Sequence, residues 1–148
     1  MQKRFALKLA AACAFAAVAG LSHAQQTIKI ANIVELSGPG TTAGTLFKNG
    51  VELAVKEINE AGGIMGKKIE SSTVDTQTNP GVAKGLTQKA VDDGVLAIFG
   101  PVYSGSIMVS MAESKRGEVP NFTGGEAASI TAQGNPYVFR TAFGQSTS

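Results

Sequence analysis

Three short stretches carry side chains and backbone suited to holding a small polar solute. GPVYSGS at residues 100–106 offers Ser104 with Tyr103 beside it, GGEAAS at 124–129 offers Gly124, Gly125 and the charge of Glu126, and SGPGTTA at 37–43 is rich in glycine and threonine. Glycine lets backbone N–H groups come close to an anion. A helix opening after such a loop adds about half a positive charge at its first turn, and a serine hydroxyl adds one more donor. This is the chemistry of a carboxylate or zwitterion site. Ser104 is the leading hydroxyl donor, Tyr103 could wall the pocket with its ring, and Glu126 could accept from a ligand ammonium. Each residue also has a purely structural use: Ser104 or Ser106 as a helix cap, Tyr103 packed on a neighbouring helix, Glu126 as a first-turn carboxylate favoured by the helix dipole.

Catalysis has little to work with. The 148-residue chain holds one Cys and one His, Cys13 and His23, and both fall in the first two dozen residues. Met1 to Lys8 carries Lys3, Arg4 and Lys8, an uncharged apolar run follows over residues 9–21, and Ser22-His23-Ala24 puts small residues where a signal peptidase reads. Residues 1–24 therefore read as a cleavable secretory signal peptide, cut after Ala24, and the mature protein is expected to be soluble and exported. Cys13 raises the rival of a lipoprotein, but Ala10 stands where a lipobox usually has Leu. The remaining residues, 25–148, carry ten basic and eleven acidic side chains and neither His nor Cys. Thiolate nucleophiles, His-based triads and His or Cys metal sites are excluded there, so no enzyme and no cofactor is expected. A net charge of −1 offers no phosphate-tracking surface, so no nucleic-acid partner is expected either.

The elements that must position these loops follow from periodicity. IKIANIVEL at 28–36 reads as a strand ending at a Ser-Gly-Pro-Gly loop, and a helix is predicted from about Gly44 to Ala61, with Leu46, Leu53, Ala54, Ile58 and Ala61 recurring at helical spacing and Phe47, Val51 and Val55 beside them. KIESSTVD at 68–75 reads as a second strand, and Asn79-Pro80 opens a helix that ends at Gly94. VLAIF at 95–99 is predicted to be a strand buried on both faces, followed by a helix over 106–115, a strand at 119–122, a helical turn and a last strand at 137–140. Strands alternating with helices predict an α/β fold, a doubly wound parallel sheet with right-handed crossovers. All three loops should then lie at the carboxyl edge of that sheet, where such folds bind ligands. The chain stops just after its last strand and reads as a piece of a longer protein.

Competing motifs fail. Gly38, Gly40 and Ala43 fit the dinucleotide fingerprint G-x-G-x-x-A, but Asp75, the acidic residue ending the second strand, comes 35 residues after Gly40, where about 20 are expected. GGIMGK at 62–67 has the wrong spacing for a phosphate loop, and the glycosylation triplet at Asn121 falls in a predicted buried strand.

The leader, the opening strand into LSGPG, the helix FKNGVELAVKEINEAGGIMGKKI, the stretch NPGVAKGLTQKAVDDGVLAIFGPVYSGS and the segment VFRTAFG together resemble the periplasmic substrate-binding proteins of branched-chain amino-acid ABC transporters, the leucine/isoleucine/valine-binding type. The resemblance implies a two-lobed, hinge-closing receptor of which residues 25–148 supply much of the first lobe, with a membrane permease as partner. It implies that Val102, Tyr103 and Ser104, with Gly124, Gly125 and Glu126, hold the carboxylate and ammonium of an amino-acid-like or small carboxylate ligand. Two positions depart from the leucine-binding pattern: Ala43 stands where a pocket tyrosine is expected and Glu126 where a threonine is expected. The same fold also serves as the sensor domain of signalling receptors, which is the alternative reading.

Overall fold

Each strand forms where β-branched and apolar residues cluster, and each helix begins where a polar turn releases the chain. The computed structural model describes residues 27–143. The signal peptide, its boundary at residue 24 and Cys13 lie outside the described residues. Five strands, β1 (Ile28–Val34), β2 (Ile69–Asp75), β3 (Ala97–Phe99), β4 (Asn121–Thr123) and β5 (Val138–Arg140), alternate with α1 (Thr41–Glu60), α2 (Pro80–Asp92), α3 (Ser104–Gly117) and the single turn α4 (Ser129–Ala132). The sheet runs β2-β1-β3-β4-β5 with every pair parallel. The strand order reverses direction after β2, which sends α1 to one face and α2 and α3 to the other when crossovers are right-handed.

Between the sheet and α2 lies a core of Ala31, Ile33, Ala90, Val95, Ile98 and Val119, and beside it a second cluster of Ile107, Met111, Ile130 and Val138. Alternation places Phe99, Phe122 and Phe139 on the opposite face as a stacked row across β3, β4 and β5, with centroids 5.4 and 5.2 Å apart. Helix α2 starts as Asn79 predicts: its Oδ1 accepts from the N–H groups of Gly81 and Val82 at 2.8 and 3.2 Å, and Pro80 fills the first turn.

Four expectations are corrected. Helix α1 begins at Thr41, three residues before Gly44, because Gly44 is helical and lacks a side chain so that α1 can seat on the end of β1. Of its apolar residues, Phe47, Val51 and Val55 face the sheet, all half-buried, whereas the leading line fails: Leu46 and Leu53 stand 68% and 56% exposed and Ala54 is exposed too. One helix resting on the β1–β2 edge of a sheet can bury only a narrow stripe. Strand β3 is not buried on both faces: Ile98 is buried but Ala97 and Phe99 are only half-buried, and Leu96 just before the strand is 63% exposed. Helix α3 begins at Ser104 rather than Ser106, with Tyr103 at the N-cap and no side-chain cap.

Candidate functional site

The loops that follow β1, β3 and β4 meet at the carboxyl edge of the sheet. The Tyr103 hydroxyl donates to the carbonyl of Pro39 at 3.2 Å, joining the first two loops. The Gly124 N–H donates to the Pro101 carbonyl at 3.1 Å, and the Ala127 N–H donates to Ser104 Oγ at 3.3 Å, joining the second and third. Ser104 is thus not a helix cap. It is the first residue of α3, and its oxygen reaches 23 residues along the chain to the third loop. With the lone pair engaged by Ala127, the hydroxyl hydrogen remains available as a donor, beside the first-turn N–H groups of α3 that have no carbonyl behind them.

Gly125 is buried, and a Cβ there would lie 2.3 Å from Ile107 Cδ1, 2.7 Å from Ile130 Cδ1 and 3.2 Å from Ser104 Oγ. Only glycine lets the third loop lie this close to α3. At Gly124 a Cβ would meet the Phe47 ring at 3.2 Å and Val102 Cγ1 at 3.3 Å, so this residue lies between α1 and the second loop. Val102 is half-buried, and Tyr103, 39% exposed, keeps part of its ring at the surface. Glu126 is exposed, and its carbonyl accepts from an Arg140 guanidinium nitrogen at 2.8 Å. The six sequence-predicted residues therefore come together along one rim.

Two residues of this rim are invisible to motif reading. Glu35 closes an apolar strand and is fully buried, its carboxylate accepting from the Val102 and Tyr103 N–H groups at 3.1 and 3.2 Å. Arg140 ends the last strand and ties down the third loop. The only hint of either in the sequence is a lone charge at the carboxyl end of a strand.

A fourth loop, after β2, braces the first. Thr78 Oγ1 donates to the Ser37 carbonyl at 2.6 Å and accepts from the Gly40 N–H at 3.0 Å. The Asp75 carboxylate accepts from Leu36 N, Ser37 N, Ser37 Oγ and Gln77 N. Burial by itself raises the Asp75 pKa, but the Ser37 hydroxyl and the three N–H donors together outweigh it and hold the carboxyl below its ordinary 3.8. Engaged in this way, Asp75 is a loop brace and not the ribose ligand of a dinucleotide site. The sequon residue Asn121 is fully buried and donates to Ser114 Oγ at 3.2 Å, which excludes it as a glycan acceptor in the folded protein.

The carboxyl rim is an open surface. Two hollows lie at the opposite edge: one of about 290 Å³ is lined by Lys29, Glu70, Ser72 and Asp93, and a groove of about 1130 Å³ by Ile28, Ile64, Met65, Leu96, Val119 and Pro120 among others. The groove is shallow and mostly apolar, with none of the convergent donors found at the rim. Among the described residues no group of His, Cys, Asp and Glu could hold a metal ion, and no helix is long and apolar enough to cross a membrane.

Comparison with known proteins agrees with this architecture. The family model described as "Periplasmic binding protein" matches residues 27–148. A Leu/Ile/Val-binding protein of Rhizobium johnstonii is 36% identical over 126 residues, covering 84% of this chain and 34% of the relative. The branched-chain amino-acid transporter substrate-binding protein of Streptococcus pneumoniae, solved in complex with isoleucine, superposes with a TM-score of 0.77 at 35% identity, covering 80% of this chain and 34% of that one. A solute-binding protein of an ABC transporter from Rhodopseudomonas palustris, solved with 3,4-dihydroxybenzoic acid, gives a TM-score of 0.73 at 27% identity, covering 80% and 32%. The chain thus spans about a third of the length of these relatives.

Proposed function

The chain belongs to the periplasmic binding protein family, and on that premise we propose that it is part of a receptor that captures a small amino-acid-like or carboxylate solute in the periplasm and delivers it to an ABC permease. Residues 1–24 are the export signal and residues 25–148 contribute the first lobe. Binding, not catalysis, is the activity: the relatives are named as binding proteins, and the rim offers hydrogen-bond donors without a nucleophile and its base.

The observation that carries the reading is the bridge from Ser104 Oγ to the Ala127 N–H. It sets a hydroxyl donor and the positive end of a 14-residue helix against a glycine-lined loop, on a rim open for a second wall. The solute's carboxylate meets the Ser104 hydroxyl and the first turn of α3, its ammonium or other polar end meets the Gly124–Glu126 loop, and the Tyr103 ring covers its flank. Contacts with both lobes then favour a closed state by population shift.

A thermal-shift screen of the full-length protein against the common amino acids and small aromatic and aliphatic acids tests this. A ligand that binds only the native state must raise the melting temperature. A rise with at least one member of the panel supports the receptor reading, and flat melting temperatures throughout would defeat it.

A further inference from the structure

One carboxylate at the carboxyl rim has no part in the binding reading. Glu35 follows β1 directly and is fully buried, and its two oxygens accept from consecutive backbone N–H groups, Oε2 from Val102 at 3.1 Å and Oε1 from Tyr103 at 3.2 Å. None of the ion pairs among the described residues includes it. A buried carboxylate is costly unless hydrogen bonds replace its lost water, and here the amide groups just ahead of α3 do so, where the helix dipole also favours negative charge. The surroundings are cut to fit. A Cβ on Gly40 would fall 2.8 and 2.9 Å from Glu35 Cβ and Cγ, and one on Gly44 would fall 2.0 Å from the Glu35 carbonyl oxygen. The end of β1, the start of α1 and the approach to α3 therefore converge on one residue, Gly40 and the Val102 and Tyr103 amides on its side chain and Gly44 on its backbone.

We propose that Glu35 is a positioning residue for the ligand site, a built-in anion that fills the N–H pair of Val102 and Tyr103 and fixes the β3–α3 loop. Its effect is selective. With those two amides occupied, a solute carboxylate is left the Ser104 hydroxyl and the first-turn N–H groups of α3, so Val102 and Tyr103 serve the ligand through side chains and carbonyls rather than as amide donors. The effect on affinity rests on the receptor reading above, whereas the anchoring of the loop does not.

The test is chemical rescue in the full-length protein. Glu35→Ala opens a carboxylate-sized hole beside two unpaired amides, which formate can refill. At constant ionic strength, added formate should raise the melting temperature of Glu35→Ala while leaving the wild type unchanged. Affinity for whichever of L-leucine, L-isoleucine and benzoate the wild type binds should fall about tenfold in the variant, the size of one charge-assisted hydrogen bond, and recover with formate. A Glu35→Ala protein that melts and binds like the wild type, or whose defect ignores formate, overturns the proposal. Should that variant fail to fold, Glu35→Gln decides: it keeps the shape but turns an amide donor toward a backbone N–H, so affinity must fall, and wild-type affinity overturns the proposal. A wild type that binds none of the three probes counts against the receptor reading, while formate-dependent melting still decides the role of Glu35.

Discussion

Gly44 and Gly50 lie in the same helix, and the same substitution is predicted to act on them in opposite directions. Replacing a helical glycine by alanine gains about 1 kcal/mol, because the alanine backbone has less freedom to lose. At Gly50 nothing lies within 4 Å of the added Cβ, so Gly50→Ala should realise that gain in full. At Gly44 the Cβ would stand 2.0 Å from the carbonyl oxygen of Glu35 and 2.7 and 2.8 Å from its carbonyl carbon and amide nitrogen. These are main-chain atoms of a buried residue, and no rotamer change can move them aside. A relaxed carbon–oxygen contact is about 3.3 Å, so α1 must withdraw by roughly 1 Å. Overpacking costs about 1–3 kcal/mol, and more when backbone must shift, so after the propensity gain Gly44→Ala should be destabilised by about 2 kcal/mol. Urea denaturation of the full-length protein should show a lower midpoint for Gly44→Ala and a higher one for Gly50→Ala, with the slope unchanged in both. Because Gly44 seats α1 against Glu35, ligand affinity should fall in the first variant and hold in the second. Equal stabilisation of the two would refute the packing of α1 on the end of β1.

Two further outcomes are expected. Ser104→Ala removes a ligand donor and the acceptor of one 3.3 Å bond, so calorimetric titration should show affinity reduced about tenfold while stability changes by under about 1 kcal/mol; the opposite pattern would mark Ser104 as structural. Asp75 contributes to pH-dependent stability through a pKa held below 3.8: the contribution is present above that value and is lost as pH falls through the lower folded-state pKa. Acid titration of Asp75→Asn should therefore show less loss of stability below pH 3.8 than the wild type, and identical acid profiles would show that the loop brace does not depend on the charge.

The order of elements was legible because the apolar period switches between two and 3.6 residues at each glycine-rich turn, and Asn79-Pro80 marked a helix start outright. Helix starts at Thr41 and Ser104 were hidden by glycine. GPGTTAG and YSGS carry loop-forming composition, yet Gly44 is helical for clearance, and Tyr103 caps α3 without a capping side chain. Which apolar line of α1 meets the sheet is a tertiary choice, and the helix offers two lines, so the Leu46 and Leu53 face could not be told from the Phe47, Val51 and Val55 face by spacing. The candidate rim was read from glycine and serine placement at strand ends. Glu35 escaped because a carboxylate at the end of a strand ordinarily faces water, and its partners lie 67 and 68 residues further along the chain.

The most direct measurement is hydrogen–deuterium exchange of the full-length protein with and without the solute found by the thermal screen. The proposal predicts ligand-dependent protection in peptides covering residues 100–107 and 123–129 at the carboxyl rim. Protection confined instead to residues 94–96 and 117–120, which line the groove at the opposite edge, would contradict it.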